Sequence, residues 1–120
     1  MKSDLELFVY VLEQINALMT FYDGKDEEEF LRNDILKDAC LMKLVVIGEY
    51  SSRISQEQKT RFTELEWQLL KAARNYYAHA YGSITWKRVW ETLEEDIPKL
   101  KVKIENIISI LEKENNAKTN

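Results

Sequence analysis

TELEWQLLKAARNYYAHAYG, residues 63–82, decides how the chain is read. At about 100° per residue, Leu65, Leu69, Ala72 and Tyr76 fall on one helical stripe. Leu70, Ala73 and Tyr77 form a second stripe beside it, with Trp67 further round. Apolar groups so cover more than half the circumference, as expected of a helix buried on two sides. Its own bundle supplies one cover, and a second copy of the chain in two-fold symmetry is the commonest other. The remaining wedge holds Gln68, Lys71, Asn75 and the small Ala78, with Arg74 and His79 at its edges. Gly82 stops the helix.

Outward from this segment the apolar period stays helical. Leu5, Phe8, Leu12, Ile15, Met19 and Tyr22 make a first stripe. Leu31, Ile35, Ala39, Met42 and Val46 make a second, and Ile97, Leu100, Ile104, Ile107 and Leu111 a last one near heptad spacing. Ser3 with Glu6, Ser55 with Gln58, and Thr63 with Glu66 match the capping box, in which a hydroxyl and a carboxyl or amide satisfy helix-start N–H groups. Asp26, followed by three glutamates, suits another start, and Pro98 suits an early helical position. Breaks are expected at Asp23-Gly24, near Ser51-Ser52 and at Gly82-Ser83. The fold class expected is all-α: an antiparallel four-helix bundle with an additional short helix around Thr85 to Glu95. One domain spans residues 1–113, and the polar tail 114–120 is expected to fray.

Composition agrees with a globular helical domain. The chain has 120 residues, 45% hydrophobic and 32% charged, and only three glycines and one proline, too few for a turn-rich sheet protein. Cys40, the single cysteine, is expected to be a buried thiol. No basic-then-apolar leader opens the sequence and no run is long enough to span a bilayer, so a cytoplasmic location is expected. The net charge of −4 argues against indiscriminate binding of nucleic acid over the whole surface. Yet Trp67 to Val89 contains no Asp or Glu, while Lys71, Arg74, Lys87 and Arg88 all fall there. One segment of an acidic protein has stayed positive, and it holds the only histidine.

Chemistry narrows to that segment. An imidazole titrates near pH 6.5 and suits either proton role at neutral pH, and a guanidinium offers a permanent planar cation for a phosphate. Asn75 stands four residues before His79, where its amide could orient the ring. One His, one Cys and no H-E-x-x-H leave no good transition-metal site, so neither metal nor cofactor is expected. Ordinary roles fit too: a histidine near a helix C-terminus complements the dipole, an arginine pairs with a carboxylate, and a tyrosine closes a helix end. The residues alone leave this open.

The run Arg74-Asn75-Tyr76-Tyr77-Ala78-His79-Ala80-Tyr81 reads as R-x4-H-x-Y and resembles the motif of HepT toxins, in the HEPN superfamily of small helical ribonucleases. Val46-Ile47-Gly48-Glu49 is similar to the family's I-G-E segment. Trp90-Glu91 and Glu95-Asp96-Ile97-Pro98-Lys99-Leu100 are similar to the region that follows the motif. The resemblance covers about the whole chain; Ser83-Ile84-Thr85 departs from the usual G-V-D after the glycine. It implies a homodimeric bundle whose Arg74 and His79 meet at a dimer cleft and cleave RNA without a metal. It also implies a partner, a small nucleotidyltransferase antitoxin of the MNT type, which adds AMP to Tyr81. The system would be a type VII-like toxin–antitoxin pair. Asn75, Lys71, Lys87 and Arg88 would contact or guide RNA, whereas Tyr76 is read as core. The other reading is a non-catalytic HEPN subunit that serves a nucleotidyltransferase by binding its substrate.

Overall fold

The computed structural model describes residues 3–80 and 82–119. Four long helices are present: α1 (Asp4–Tyr22), α3 (Asp34–Ser52), α5 (Trp67–His79) and α7 (Ile97–Thr119). Between them lie the short α2 (Glu27–Arg32), α4 (Gln56–Arg61) and α6 (Trp86–Glu91), and a π turn, Thr92–Asp96, joins α6 to α7. The all-α reading holds among the described residues. The additional short helix is α6, and α2 and α4 are two more.

Most of the starts are capped as the sequence implies. Ser3 accepts from the Glu6 amide at 3.2 Å, and Asp26 and Glu29 form a complete capping box. Ser55 accepts from the Gln58 amide at 3.3 Å. Gly24, at φ +72°, makes the turn after α1, where a Cβ would be strained. Thr63 is different: α5 begins at Trp67, and Glu66 precedes it without a side-chain cap. Phe62 and Leu65 are both buried, and the Trp67 indole donates to the Phe62 carbonyl at 2.9 Å. Burying two large side chains outweighs one cap, so residues 62–66 form a turn instead of a helical start.

The helix pairs α1–α3, α3–α5 and α1–α7 build the core. α1 and α3 run antiparallel, since Lys43 donates to Gln14 at 2.6 Å while the Tyr10 and Tyr50 rings meet at a tilt with centroids 4.3 Å apart. Phe8, Ile15, Leu18, Phe30, Ile47, Leu93, Ile104 and Ile107 are fully enclosed. α5 and α7 stand apart, leaving a groove of about 460 Å³ floored by Leu44 and Ile47 and walled by Ala73, Tyr77, Ile97 and Leu100.

The second stripe of α3 is placed otherwise than its spacing suggests. Ile35 is 84% exposed and Met42 60%, while Leu36, Cys40, Leu41, Leu44 and Ile47 face the core. Apolar residues lie on both sides of this helix, so periodicity alone cannot say which side turns inward. Cys40 is buried, and burial lifts its thiol to about 11.

Pro98 is the second residue of α7, the early position expected, but α7 continues from the π turn without a break. In a regular α turn the proline ring would clash with the carbonyl one turn earlier, and here the helix widens into the π turn that runs straight into α7. There the Ile97 amide bonds to the Thr92 carbonyl, five residues back. The next carbonyl, of Leu93, would look to residue 98 for a donor and finds proline. The Tyr22 hydroxyl donates to it instead, at 2.7 Å. α7 continues through the polar segment from residue 114 to Thr119, where fraying was expected, and Glu114 pairs with Arg61. Among the described residues no helix is long and apolar enough to cross a membrane.

Candidate functional site

α5 packs on α3 so closely that one position must be glycine. A Cβ on Gly48 would lie 2.6 Å from the Arg74 Cβ and 3.2 Å from the Leu70 carbonyl oxygen. The stem of Arg74 is thereby seated on α3. From there its guanidinium reaches the neighbouring Glu49, with Nη1 3.1 Å from Oε2. The other oxygen of that carboxylate accepts from Arg53 at 3.4 Å, and the Arg53 guanidinium lies 4.6 Å from the Tyr50 ring. Arg74 Nε is enclosed without a partner.

His79 is the last residue of α5 and is exposed. Five residues along a helix is about 500° of rotation, or 140° apart, with about 7.5 Å of rise. Arg74 faces α3, and His79 faces solvent. No hydrogen bond or ion pair joins them among the described residues. Asn75 is exposed, and no hydrogen bond links it to His79. Lys71 is exposed one turn before Arg74, while Lys87 and Arg88 are exposed on α6, which packs on α2. Tyr81 lies outside the described residues.

Only one of the two α5 stripes is covered within the chain. Tyr77 is buried, with Leu70 and Ala73 half-buried. Leu69 is 61% exposed and Tyr76 44%, which corrects the placement of Tyr76 in the core. The Tyr76 phenol instead sits against the α5–α6 loop, 3.4 Å from the Thr85 amide nitrogen. Its ring lies edge-on to Tyr77, with centroids 5.5 Å apart.

Three residues with no role assigned from sequence join the site. Glu49 holds Arg74, and Arg53 shares Glu49. Lys59 donates to the Ser52 carbonyl at 2.9 Å and lines, with Lys71, Gln68 and Trp67, a small cavity of about 150 Å³. A glycine inside an otherwise large-residue helix was the available signal for the first, since it marks a close helix approach. Arg53 stands four residues after Glu49, a spacing that favours an ion pair along one helix, whereas nothing in the spacing pointed to Lys59. Among the described residues no group of three or more His, Cys, Asp or Glu side chains converges.

The arrangement offers a fixed guanidinium and a solvent-facing imidazole on one helix. The first suits an anionic oxygen, and the second suits proton transfer. Comparison with known proteins agrees in kind. The model of the family described as "Ribonuclease HepT-like" matches residues 11–107. "Probable ribonuclease HepT" of Thermococcus cleftensis is 34% identical over 97 residues, covering 81% of this chain and 88% of that protein. "Putative RNase MJ1380" of Methanocaldococcus jannaschii is 31% identical over 105 residues, covering 87% of this chain and 96% of that protein. No solved structure matches. With the family model spanning most of the bundle, from α1 to the middle of α7, the chain belongs to the HepT-like ribonucleases of the HEPN superfamily.

Proposed function

We propose that the chain is the toxin of a HepT/MNT-type pair, a metal-independent endoribonuclease that works as a homodimer through Arg74 and His79. The observation that carries this reading is the pairing, on one helix, of an arginine seated against Gly48 and Glu49 with an exposed histidine five residues on. In the reaction a base takes the proton of a 2′-hydroxyl and the freed oxygen attacks phosphorus. The 5′-oxygen then leaves with a proton from an acid. Arg74 would meet the charge that builds on the phosphoryl oxygens.

One histidine per chain fills one proton role. A second copy supplies the other, and it also explains the uncovered apolar stripe. Leu69, Ala72 and Tyr76 border His79 and Asn75 on the solvent side of α5, so a two-fold contact there brings two His79 rings to one cleft. Lys71 would extend the positive track from Arg74 along α5, with Asn75 at the ring and Lys87 and Arg88 contributing from α6. Tyr81, two residues past His79, is the proposed acceptor of AMP from a cognate nucleotidyltransferase. The added bulk and negative charge would block the cleft and repel RNA.

The Arg74–Glu49 ion pair also suits a bundle whose arginine is merely structural, the non-catalytic subunit of a nucleotidyltransferase. Growth separates the two readings. Expressed alone, the wild type should arrest its host and Arg74→Ala should not. Co-expression with the neighbouring transferase should relieve the arrest and raise the intact mass of wild type but not of Tyr81→Phe. Normal growth with unmodified, soluble wild type would favour the accessory subunit.

A further inference from the structure

Three features locate the Arg74 side chain, and together they single out a residue with no assigned role. Gly48 fixes where the stem leaves α5, because anything larger collides with the Arg74 Cβ. Nε is shut away from solvent, so the guanidinium cannot turn freely about its own axis. Glu49 Oε2 then takes Nη1 at 3.1 Å. Nη2 makes no hydrogen bond among the described residues, and it is the face of the fork left for a ligand.

We infer that Glu49 is a positioning residue for Arg74: it orients the guanidinium so that Nη2 presents to the phosphate of bound RNA. The inference rests on the ribonuclease reading given above. A purely stabilising role fits the geometry less well. The two side chains are 27% and 37% exposed, and ion pairs that open to solvent contribute little to folding. What such a pair does accomplish is conformational. Arginine is among the most rotamer-rich side chains, and holding it in the reactive orientation beforehand removes that ordering from the reaction step.

A carboxylate beside a phosphate site would ordinarily repel the substrate. Arg53 offsets this by occupying the second oxygen, Oε1, so that Glu49 is shared between two cations. The cluster of Arg53, Glu49 and Arg74 remains net positive by one charge.

The test uses the full chain as wild type, Glu49→Ala, Glu49→Gln and Arg74→Ala, with two readouts. The first is the Arg74 Nε–H resonance in nitrogen-15-labelled protein, assigned by its loss in Arg74→Ala. It should be sharp and slow to exchange with water in the wild type, broadened in Glu49→Ala and partly restored in Glu49→Gln, whose amide keeps the length of the side chain and a polar oxygen beside Nη1. The second is single-turnover RNA cleavage. Glu49→Ala should lose about 10- to 100-fold in rate with little change in the RNA concentration needed for half-saturation, and Glu49→Gln should lose less. An unchanged resonance in Glu49→Ala would overturn the inference whatever the rates are. So would a wild-type rate in Glu49→Ala while Arg74→Ala is inactive, and in that case the ribonuclease reading survives alone. Equal activity of wild type and Arg74→Ala would instead remove the ribonuclease reading and this inference with it.

Discussion

Gly48 and Arg74 face each other across the α3–α5 contact with no room for a methyl group between them: a Cβ on Gly48 would come to 2.6 Å of the Arg74 Cβ. A close approach of two helices is thus the place from which the candidate catalytic arginine is projected. Fold and site share one steric requirement.

Gly48→Ala should therefore act on both. Alanine in a helix interior is favoured over glycine by about 1 kcal/mol, but here the methyl must push α5 away from α3, and overpacking costs about 1–3 kcal/mol. A net loss of stability is expected, seen as a lower denaturation midpoint, together with reduced RNA cleavage because Arg74 moves. A variant more stable than wild type and equally active would show that the helices yield without consequence.

The uncovered side of α5 makes a separate prediction about assembly. Leu69→Glu places a charge in the exposed apolar stripe beside His79 and, within one chain, disturbs little, since Leu69 is 61% exposed. Light scattering at micromolar concentration should give a dimer for wild type and a monomer for Leu69→Glu, with helical circular dichroism unchanged. A dimer that persists in the variant would move the self-contact away from this stripe.

At the π turn, Tyr22 supplies the donor that Pro98 cannot, to the Leu93 carbonyl at 2.7 Å. Tyr22→Phe leaves that carbonyl buried without a partner and should cost about 1–3 kcal/mol. Alkali gives an independent check. Burial, then the nearby Cys40 and Glu94, push the Tyr22 hydroxyl up to about 12 from an ordinary 10.0. The unfolded chain gives up this proton first, so the Tyr22 contribution is complete below pH 10 and is lost as pH rises towards 12. Cys40, raised to about 11, adds a loss of the same sign. Denaturant midpoints taken from pH 8 upward should fall in wild type and fall less steeply in Tyr22→Phe. Parallel curves would show that Tyr22 is not the titrating group.

Although Leu7, Val11 and Leu18 are buried in α1 ahead of Leu5, Leu12 and Met19, the capped starts, the turn at Gly24, the buried stripe of α7 and, in α1, Phe8, Ile15 and Tyr22 could be read from residue chemistry. Placement of α3 could not, since Ile35 and Met42 are as apolar as Leu36 and Leu44 and only the packing of α1 and α5 chooses between them. Thr63 failed as a cap for a similar reason: the burial of Phe62 and Leu65 is a tertiary gain that no four-residue pattern contains. For the site, Arg74 and His79 stood out by type and spacing. Glu49 joins only when α3 and α5 run side by side, which brings positions about 25 residues apart into contact, and Arg53 follows it one turn along α3. Pro98 was legible as an early helical residue, and it is the second residue of α7. That it would produce a π turn served by a tyrosine from α1 depended on contacts across 71 residues.

If this bundle cuts RNA with His79, one comparison should show it. Purified wild type and His79→Ala, each shown by intact mass to be unmodified, are incubated with mixed single-stranded RNA in EDTA. His79 is exposed at the end of α5, so its loss should leave the fold intact. Wild type should cleave, and His79→Ala should lose at least about 100-fold, in line with removal of a positioned acid–base group. RNA left whole by an unmodified, dimeric wild type, or cut equally well by His79→Ala, would contradict that reading.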